Sequence, residues 1–234
     1  MGISILTGRK ARRLFFFLAL GFNGRRRQSH HVVPAIGITG GVSTGKSTFT
    51  ECLQQLFPDA KFFDADRAAH DLVDREEVKK ELLEEFSFSV FSPGGDLNRP
   101  ALRAIVFENV AKRRALEQIL HPRIREQWRI EADKHRKSLE FFFADIPLLY
   151  ETSGETLCDR VVVVACSLDI QLGNLMRKMS IERDVAEAMV KSQMPLEEKI
   201  ERADHVVWNN GDKSALASQA AIVAELWRQE KWTT

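Results

Sequence analysis

Continuous apolar runs, without the alternation of polar positions that marks a half-exposed strand, recur along the chain. Such runs are typical of parallel strands that helices cover on both faces. The sequence therefore predicts five strands, which lie at residues 35–39, 61–63, 141–144, 161–164 and 205–208.

Between these runs, apolar residues recur at helical spacing. The predicted helices lie at residues 46–56, 67–73 and 76–86, over 100–137 as several helices, and at 214–227. Pro100 suits a first helical turn, Pro122 is expected to break the helical run after His121, and turn residues predict a loop at 92–96. Strands that alternate with helices predict an α/β fold, a three-layer doubly wound parallel sheet of five strands.

The length of 234 residues suits one domain with a small inserted lobe. We expect the core at about 33–66 and 139–228 and a helical lobe at about 67–137. The 34 basic and 33 acidic residues nearly balance, but seven of the basic residues precede residue 32 and no acidic residue precedes Glu51. The body is therefore mildly acidic, which predicts no nucleic-acid partner and makes any phosphate site local.

The first 32 residues are predicted to lie outside the fold, as a disordered or mis-started basic extension. Their apolar run at 14–22 has nine residues, whereas a membrane helix needs roughly 20. The small residues that a secretory cleavage site needs do not follow that run, which argues against a secretory signal peptide. An organellar transit peptide is the alternative to a disordered or mis-started extension. We predict no stable membrane association.

The chain has an odd number of cysteines, and their spacing is not that of a metal site. They are Cys52, Cys158 and Cys166. Inert thiols in a reducing cytoplasm are the favoured interpretation, which predicts a cytoplasmic protein.

Residues 40–47 read GGVSTGKS and match G-x-x-x-x-G-K-[ST] between a predicted strand and a predicted helix. Glycines let such a loop turn its N–H groups inward, and the helix N-terminus adds partial positive charge toward phosphate. Lys46 is predicted to neutralise the β- and γ-phosphates of ATP, and Ser47 to ligate Mg²⁺. A chance glycine-rich turn is the alternative. The predicted ATP contacts in this segment are Gly41, Ser43, Thr44, Gly45, Lys46, Ser47 and Thr48.

Three aspartates follow or end predicted strands, where ligands bind in open α/β sheets. Asp64 is the predicted catalytic base, because it directly ends a strand and a hydroxyl acceptor needs a carboxylate. Asp66 is either functional or a helix N-cap. Asp145 is either a Mg²⁺ ligand of Walker B type or a turn residue at a strand end.

Candidates in the predicted lobe carry less specific patterns. Arg99 and Arg103 lie one helical turn apart, so both can face one anion, although a solvated helix face explains them equally well. His121 either faces the acceptor or is a satisfied histidine at a helix end. Trp128 is predicted to belong to the core.

An ordered set of further motifs, from about residue 36 to 227, makes the chain resemble the dephospho-CoA kinase family. Besides the loop and residues 64–66, the set includes NRPALR at 98–103, HP at 121–122, DIPLLYE at 145–151, Gln171, Gln193, ADHVV at 203–207 and NNG at 209–211.

The resemblance implies ATP-dependent phosphorylation of the ribose 3′-hydroxyl of dephospho-CoA, with Asp64 as its base. It also implies an acceptor-binding lobe between residues 76 and 137, to which Arg99, Arg103 and His121 are assigned. Asn209 is expected near the adenine of ATP.

The departures from the family pattern fall in the lid, at about 174–192, and in the loop. Asn174 and Lys178 stand where the family usually has arginines, so Arg177, Lys178 and Arg183 are the predicted lid cations. Ser43 replaces a common glycine, which is a mild change if its φ is negative.

Three other functions compete with this interpretation. They are a kinase for another small molecule, a nucleotide-binding regulator without catalysis, and an adaptor that binds membrane or nucleic acid through residues 1–31. The enzyme is expected to act as a monomer or small homo-oligomer.

Overall fold

The structure is a computed structural model that describes residues 34–135, 140–230 and 232. The predicted extension at 1–32, residue 33 and the predicted helical residues 136 and 137 lie outside the described part.

Five strands form one sheet in the order β2-β3-β1-β4-β5, and β1 pairs in parallel with β3 on one side and with β4 on the other. This confirms the predicted doubly wound α/β fold. Each strand lies within one or two residues of its predicted position. The strands are β1 (Ala35–Gly40), β2 (Lys61–Asp64), β3 (Phe142–Asp145), β4 (Arg160–Ala165) and β5 (His205–Trp208).

The described residues contain nine α-helices. They are α1 (Lys46–Leu56), α2 (Ala65–Leu72), α3 (Glu76–Phe86), α4 (Arg99–Glu108), α5 (Val110–His135), α6 (Leu168–Met179), α7 (Arg183–Lys191), α8 (Leu196–Arg202) and α9 (Lys213–Gln229). None of those described helices combines the length and the apolar character that crossing a membrane requires.

Two compact units divide the chain. One contains the sheet and the described residues up to Phe63 and from Ala132 onward, and the other spans Asp64–Glu131. The core of the first unit lies between the sheet, α1 and α9, where Ile38, Phe49 and Trp227 are fully buried. The apolar residues of β4 are buried on both faces, as its continuous run of valines predicted.

The helical unit at 64–131 has its own apolar core. Leu72, Val78 and Leu82, from α2 and α3, are almost fully buried in it, with Leu102 of α4 and Leu120 of α5. Trp128 is also buried, as predicted, with 2% of its surface exposed.

The expectation that Pro122 breaks the helix after His121 is wrong. Helix α5 continues through the proline to His135. Proline cannot donate a backbone hydrogen bond to the carbonyl four residues earlier, and its ring disturbs the preceding turn. The carbonyl that loses its helical donor is that of Gln118, and the guanidinium of Arg123 donates to the neighbouring carbonyl of Ile119.

We predict that Pro122→Ala raises the free energy of unfolding by about 1–2 kcal/mol in urea. An interior proline costs a helix about 3 kcal/mol, but the stiffer unfolded chain of the native protein offsets part of that cost. Gln118→Ala, at an exposed position of the same helix, is the control and should change stability by under about 0.5 kcal/mol. A destabilising Pro122→Ala would contradict this account.

Candidate active site

The loop between β1 and α1 depends on two glycines. Gly45 caps α1 with a φ of 96°, and a β-carbon there would lie 2.1 Å from the Nδ2 atom of Asn209. A β-carbon on Gly40 would lie 2.4 Å from the carbonyl oxygen of Val164 in the neighbouring strand. Neither position has room for a side chain, so both glycines of the sequence pattern are required by the packing.

Ser43 adopts a left-handed backbone conformation, with a φ of 58°. We expected serine in place of glycine to be a mild change only if φ is negative. The positive φ of Ser43 does not meet that condition. Residues other than glycine pay roughly 1–2 kcal/mol in this region. The loop thus carries local backbone strain at the position where the sequence departs from the family.

Lys46 and Asp145 form an ion pair at the adjacent ends of α1 and β3. Asp145 is 9% exposed, and its other carboxylate oxygen accepts a hydrogen bond of 2.8 Å from the hydroxyl of Thr50. Its interpretation as a turn residue is wrong, because Asp145 is the last residue of β3 and pairs with Ile38 in β1.

The donor set at this point fits Mg²⁺. Ser47 and Thr48 belong to the first turn of α1, and the exposed Ser47 hydroxyl makes no hydrogen bond with a described residue. Mg²⁺ takes oxygen ligands and usually binds one or two protein groups together with phosphates and waters. Ser47 and Asp145 can supply such oxygens, whereas the described residues hold no larger cluster of metal-ligating side chains.

Four amide side chains, which we call the amide clasp, contact the backbone of the loop. The clasp consists of Gln171, Asn174, Gln193 and Asn209. Two of its members bind both backbone polar groups of Val42. Gln171 donates a hydrogen bond to the Val42 carbonyl, and Gln193 accepts one from the Val42 N–H, both at 2.9 Å.

The other two members contact the following loop residues. Asn174 donates a long hydrogen bond of 3.4 Å to the Ser43 carbonyl, and Asn209 donates one of 3.0 Å to the Thr44 carbonyl. Asn209, predicted to contact ATP, thus contacts the loop itself. The clasp was missed as a unit because its members come from α6, the segment after α7 and the end of β5, and only the fold brings them together.

Asp64 is the last residue of β2 and the N-cap of α2. Its Oδ1 atom accepts a hydrogen bond of 3.0 Å from the backbone N–H of Arg67, and its Oδ2 atom has no partner among the described residues. The interpretation of Asp66 as the helix N-cap is wrong, because Asp64 is the N-cap and Asp66 is the second residue of α2.

The predicted lid cations lie in α6 and α7, in surroundings that differ. Arg177 and Lys178 belong to the last turn of α6, are exposed, and form no ion pair with a described residue. Arg183 begins α7 and is paired with Glu187 at 3.1 Å and with Asp169 at 3.9 Å.

The predicted acceptor residues belong to the helical unit. Arg99 pairs with Asp74 at 2.9 Å, whereas Arg103 makes no ion pair with a described residue. Both line a shallow depression along α4, together with Phe107. Arg99 is therefore held by an ion pair, and its interpretation as a solvated charge on a helix face is incomplete.

His121 lies within α5, so its interpretation as a residue at a helix end is wrong. It is half-buried and makes no hydrogen bond with a described residue, and its burial lowers the pKa of the imidazole although Glu117 opposes the shift. The imidazole is therefore neutral at neutral pH.

The three cysteines are free, as expected. Burial raises the pKa of the Cys166 thiol to about 11 and that of the Cys158 thiol still further. These two thiols are therefore poor nucleophiles, since the thiolate is the reactive form.

Comparisons with known proteins point to one family. The family model described as dephospho-CoA kinase matches residues 34–215. A dephospho-CoA kinase from Bacillus cereus is 36% identical over 82% of this chain and 96% of its own length, and one from Fusobacterium nucleatum is 34% identical over 76% and 90%.

Two solved structures also resemble the chain. A Thermus thermophilus protein has a TM-score of 0.70 at 31% identity and covers 85% of this chain and 99% of its own. A dephospho-CoA kinase from Campylobacter jejuni has a TM-score of 0.59 at 29% identity, with coverages of 82% and 96%.

We predict that Ser43→Gly raises the free energy of unfolding by about 0.5–1 kcal/mol, because glycine adopts positive φ without strain but loses more entropy on folding. Ser43→Ala keeps the strain and removes only the hydroxyl, so it should change stability by under about 0.5 kcal/mol. Chemical denaturation of both variants measures the difference. An equal gain in the alanine variant would show that strain is not the cause.

Proposed function

The chain belongs to the dephospho-CoA kinase family, and on that premise we propose that it transfers the γ-phosphoryl group of ATP to the ribose 3′-hydroxyl of dephospho-CoA. The observation that carries the proposal is the loop at 40–47, with Lys46 next to Asp145, in a chain that matches the family over residues 34–215. The products are ADP and coenzyme A.

Phosphate recognition is assigned to the loop and to the N-terminus of α1, whose backbone N–H groups attract anions. Lys46 forms an ion pair with Asp145, and we propose that its ammonium group binds the β- and γ-phosphates of ATP. Ser47 and Asp145 would hold Mg²⁺, which neutralises phosphate charge when it is bound.

Asp64 is the proposed base. Its Oδ1 atom is committed to the cap of α2, while its Oδ2 atom is left for a hydroxyl. In the proposed step the 3′-oxygen bonds to the γ-phosphorus, the bond from that phosphorus to the bridging oxygen breaks, and the hydroxyl proton passes to Oδ2.

The helical unit is the proposed binding region for the acceptor, which carries a pyrophosphate between its adenosine and its pantetheine arm. Arg103 lacks an ion-pair partner in the described part, so its charge is available to such an anion. Arg99, which lies one turn before Arg103 on α4, forms an ion pair with Asp74. His121, being neutral, can donate or accept one hydrogen bond to the acceptor.

We predict that Asp64→Asn lowers kcat by at least about 100-fold while the Kd for ATP changes by less than about threefold. Asparagine caps helices as well as aspartate does, so the variant loses the base and keeps the start of α2. Asp71→Asn is the matched control and should keep kcat within about threefold, since Asp71 lies at an exposed position of the same helix.

The assay follows ADP release with ATP, Mg²⁺ and dephospho-CoA, and adenosine and shikimate serve as control acceptors. Turnover with dephospho-CoA that Asp64→Asn lacks supports both the acceptor and the base. Binding of ATP without turnover on dephospho-CoA would contradict the proposal and favour either another acceptor or a regulator.

A lid cation completes the proposed site, and the structure favours those at the end of α6. Arg177 lies three residues after Asn174, so it belongs to the same side of the helix, and no ion pair with a described residue competes for it. Arg183 is neutralised in part by Glu187 and Asp169.

We predict that Arg177→Ala lowers kcat by about 100-fold with a smaller change in the KM for ATP, because a lid cation stabilises charge that develops during transfer. Arg183→Ala is the matched control, and its kcat should stay within about threefold of the original. Steady-state kinetics at saturating dephospho-CoA measures both variants. A larger effect of Arg183→Ala would reverse the assignment.

A further inference from the structure

Lys199 of α8 is a fully buried lysine that the proposed chemistry does not use. Its side chain is 0% exposed, although four of the six other residues of its short helix, LEEKIER, are charged. Burying an ammonium group costs several kcal/mol unless hydrogen bonds and an opposite charge compensate. The surroundings of Lys199 must therefore supply both.

The ammonium group has three close partners. It donates hydrogen bonds to the Gly40 carbonyl at 3.2 Å and to the Pro147 carbonyl at 3.1 Å, and it forms an ion pair of 2.8 Å with the Oε1 atom of Glu151. Its surroundings thus supply both hydrogen bonds and an opposite charge. Gly40 ends β1, whereas Pro147 and Glu151 both belong to the segment that follows β3.

Two of those acceptors lie at the ends of the strands that carry the candidate site. Gly40 is the last residue of β1 and the first of the phosphate loop, and Pro147 follows Asp145 by two residues. The hydroxyl of Thr39 also donates to the Pro147 carbonyl, at 3.0 Å. The ammonium group thus joins the segment that leads to Lys46 with the segment that contains Asp145.

Glu151 provides a second route from Lys199 to the loop. Its Oε1 atom also accepts a hydrogen bond of 3.1 Å from the backbone N–H of Met194. The preceding residue, Gln193, accepts the N–H of Val42. Lys199 and Glu151 therefore fix the segment from which one member of the amide clasp reaches the loop.

We propose that Lys199 is a positioning residue of the nucleotide site. It holds the start of the phosphate loop at a set distance from the turn after Asp145, and through Glu151 it keeps Gln193 on Val42. The residue touches no reacting atom. The inference rests on the proposed function only in that the loop binds ATP.

The test separates positioning from stability with a double variant. Lys199→Met alone leaves Glu151, whose side chain is 22% exposed, without its cation, and is expected to destabilise the protein. Adding Glu151→Gln removes that charge and keeps an oxygen for the Met194 N–H. Lys213→Met with Glu51→Gln, at an exposed ion pair outside the lid, is the matched control for loss of one cation and one anion.

We expect the double variant to melt close to the original protein yet to bind MgATP with a Kd at least tenfold higher, measured by calorimetry without acceptor. Its KM for ATP should rise by a similar factor, and the Lys213→Met, Glu51→Gln control should change neither value by more than threefold. A double variant that is folded and binds MgATP within threefold of the original would overturn the proposal.

A milder variant keeps the proposal testable if the double variant does not fold. Gln193→Ala removes only the contact with Val42, from a half-buried position, and should raise the Kd for MgATP at least threefold. An unchanged Kd would overturn the proposed route through Glu151. Since binding is measured without acceptor, a protein that binds ATP but does not phosphorylate dephospho-CoA would contradict the proposed acceptor and leave this comparison intact.

Discussion

The ion pair between Lys46 and Asp145 is the interaction on which the candidate site depends. It exists because β1 lies between β3 and β4, so that the residues following β1 emerge beside the end of β3. Thr50, one turn after Lys46 on α1, binds the second oxygen of the same carboxylate. Two side chains on one face of α1 therefore hold a single carboxylate, which fixes the start of the helix against the sheet and keeps the lysine ordered where phosphate charge is expected.

Much of the fold could be predicted because the local pattern and the global arrangement agree. The central residues of β3 and β4 form continuous apolar runs, and burial on both faces is the environment that such a run requires. Pro122 was misjudged because the rule against proline in helices is local, whereas α5 has more than two turns on either side of the residue and continues through it. The separate helices α6 to α8 were not predicted, apart from a lid at 174–192, because their short, mostly polar segments carry weaker periodicity.

The site was predictable to the extent that it is contiguous in sequence. The phosphate loop and the strand-ending aspartates have local patterns, whereas the amide clasp and Lys199 are defined by contacts between distant segments. Lys199 lies 159 residues from Gly40, and a lysine in a charged helical segment is ordinarily solvated. Only packing shows that this one is buried, so no signal in a single sequence distinguishes it from the exposed lysines of neighbouring helices.

Two of the three departures from the family pattern, Ser43 and Asn174, are in contact. Asn174 donates its amide hydrogen to the carbonyl of Ser43, whose backbone has positive φ. An asparagine side chain is short and uncharged, so at this position it can orient the loop but cannot neutralise a phosphate. The loss of charge and the strained loop residue are thus parts of one contact. In the proposed reaction, positive charge would then come from another side chain of α6, and Arg177, one turn further along the same side of that helix, is a cation that the described residues leave unpaired.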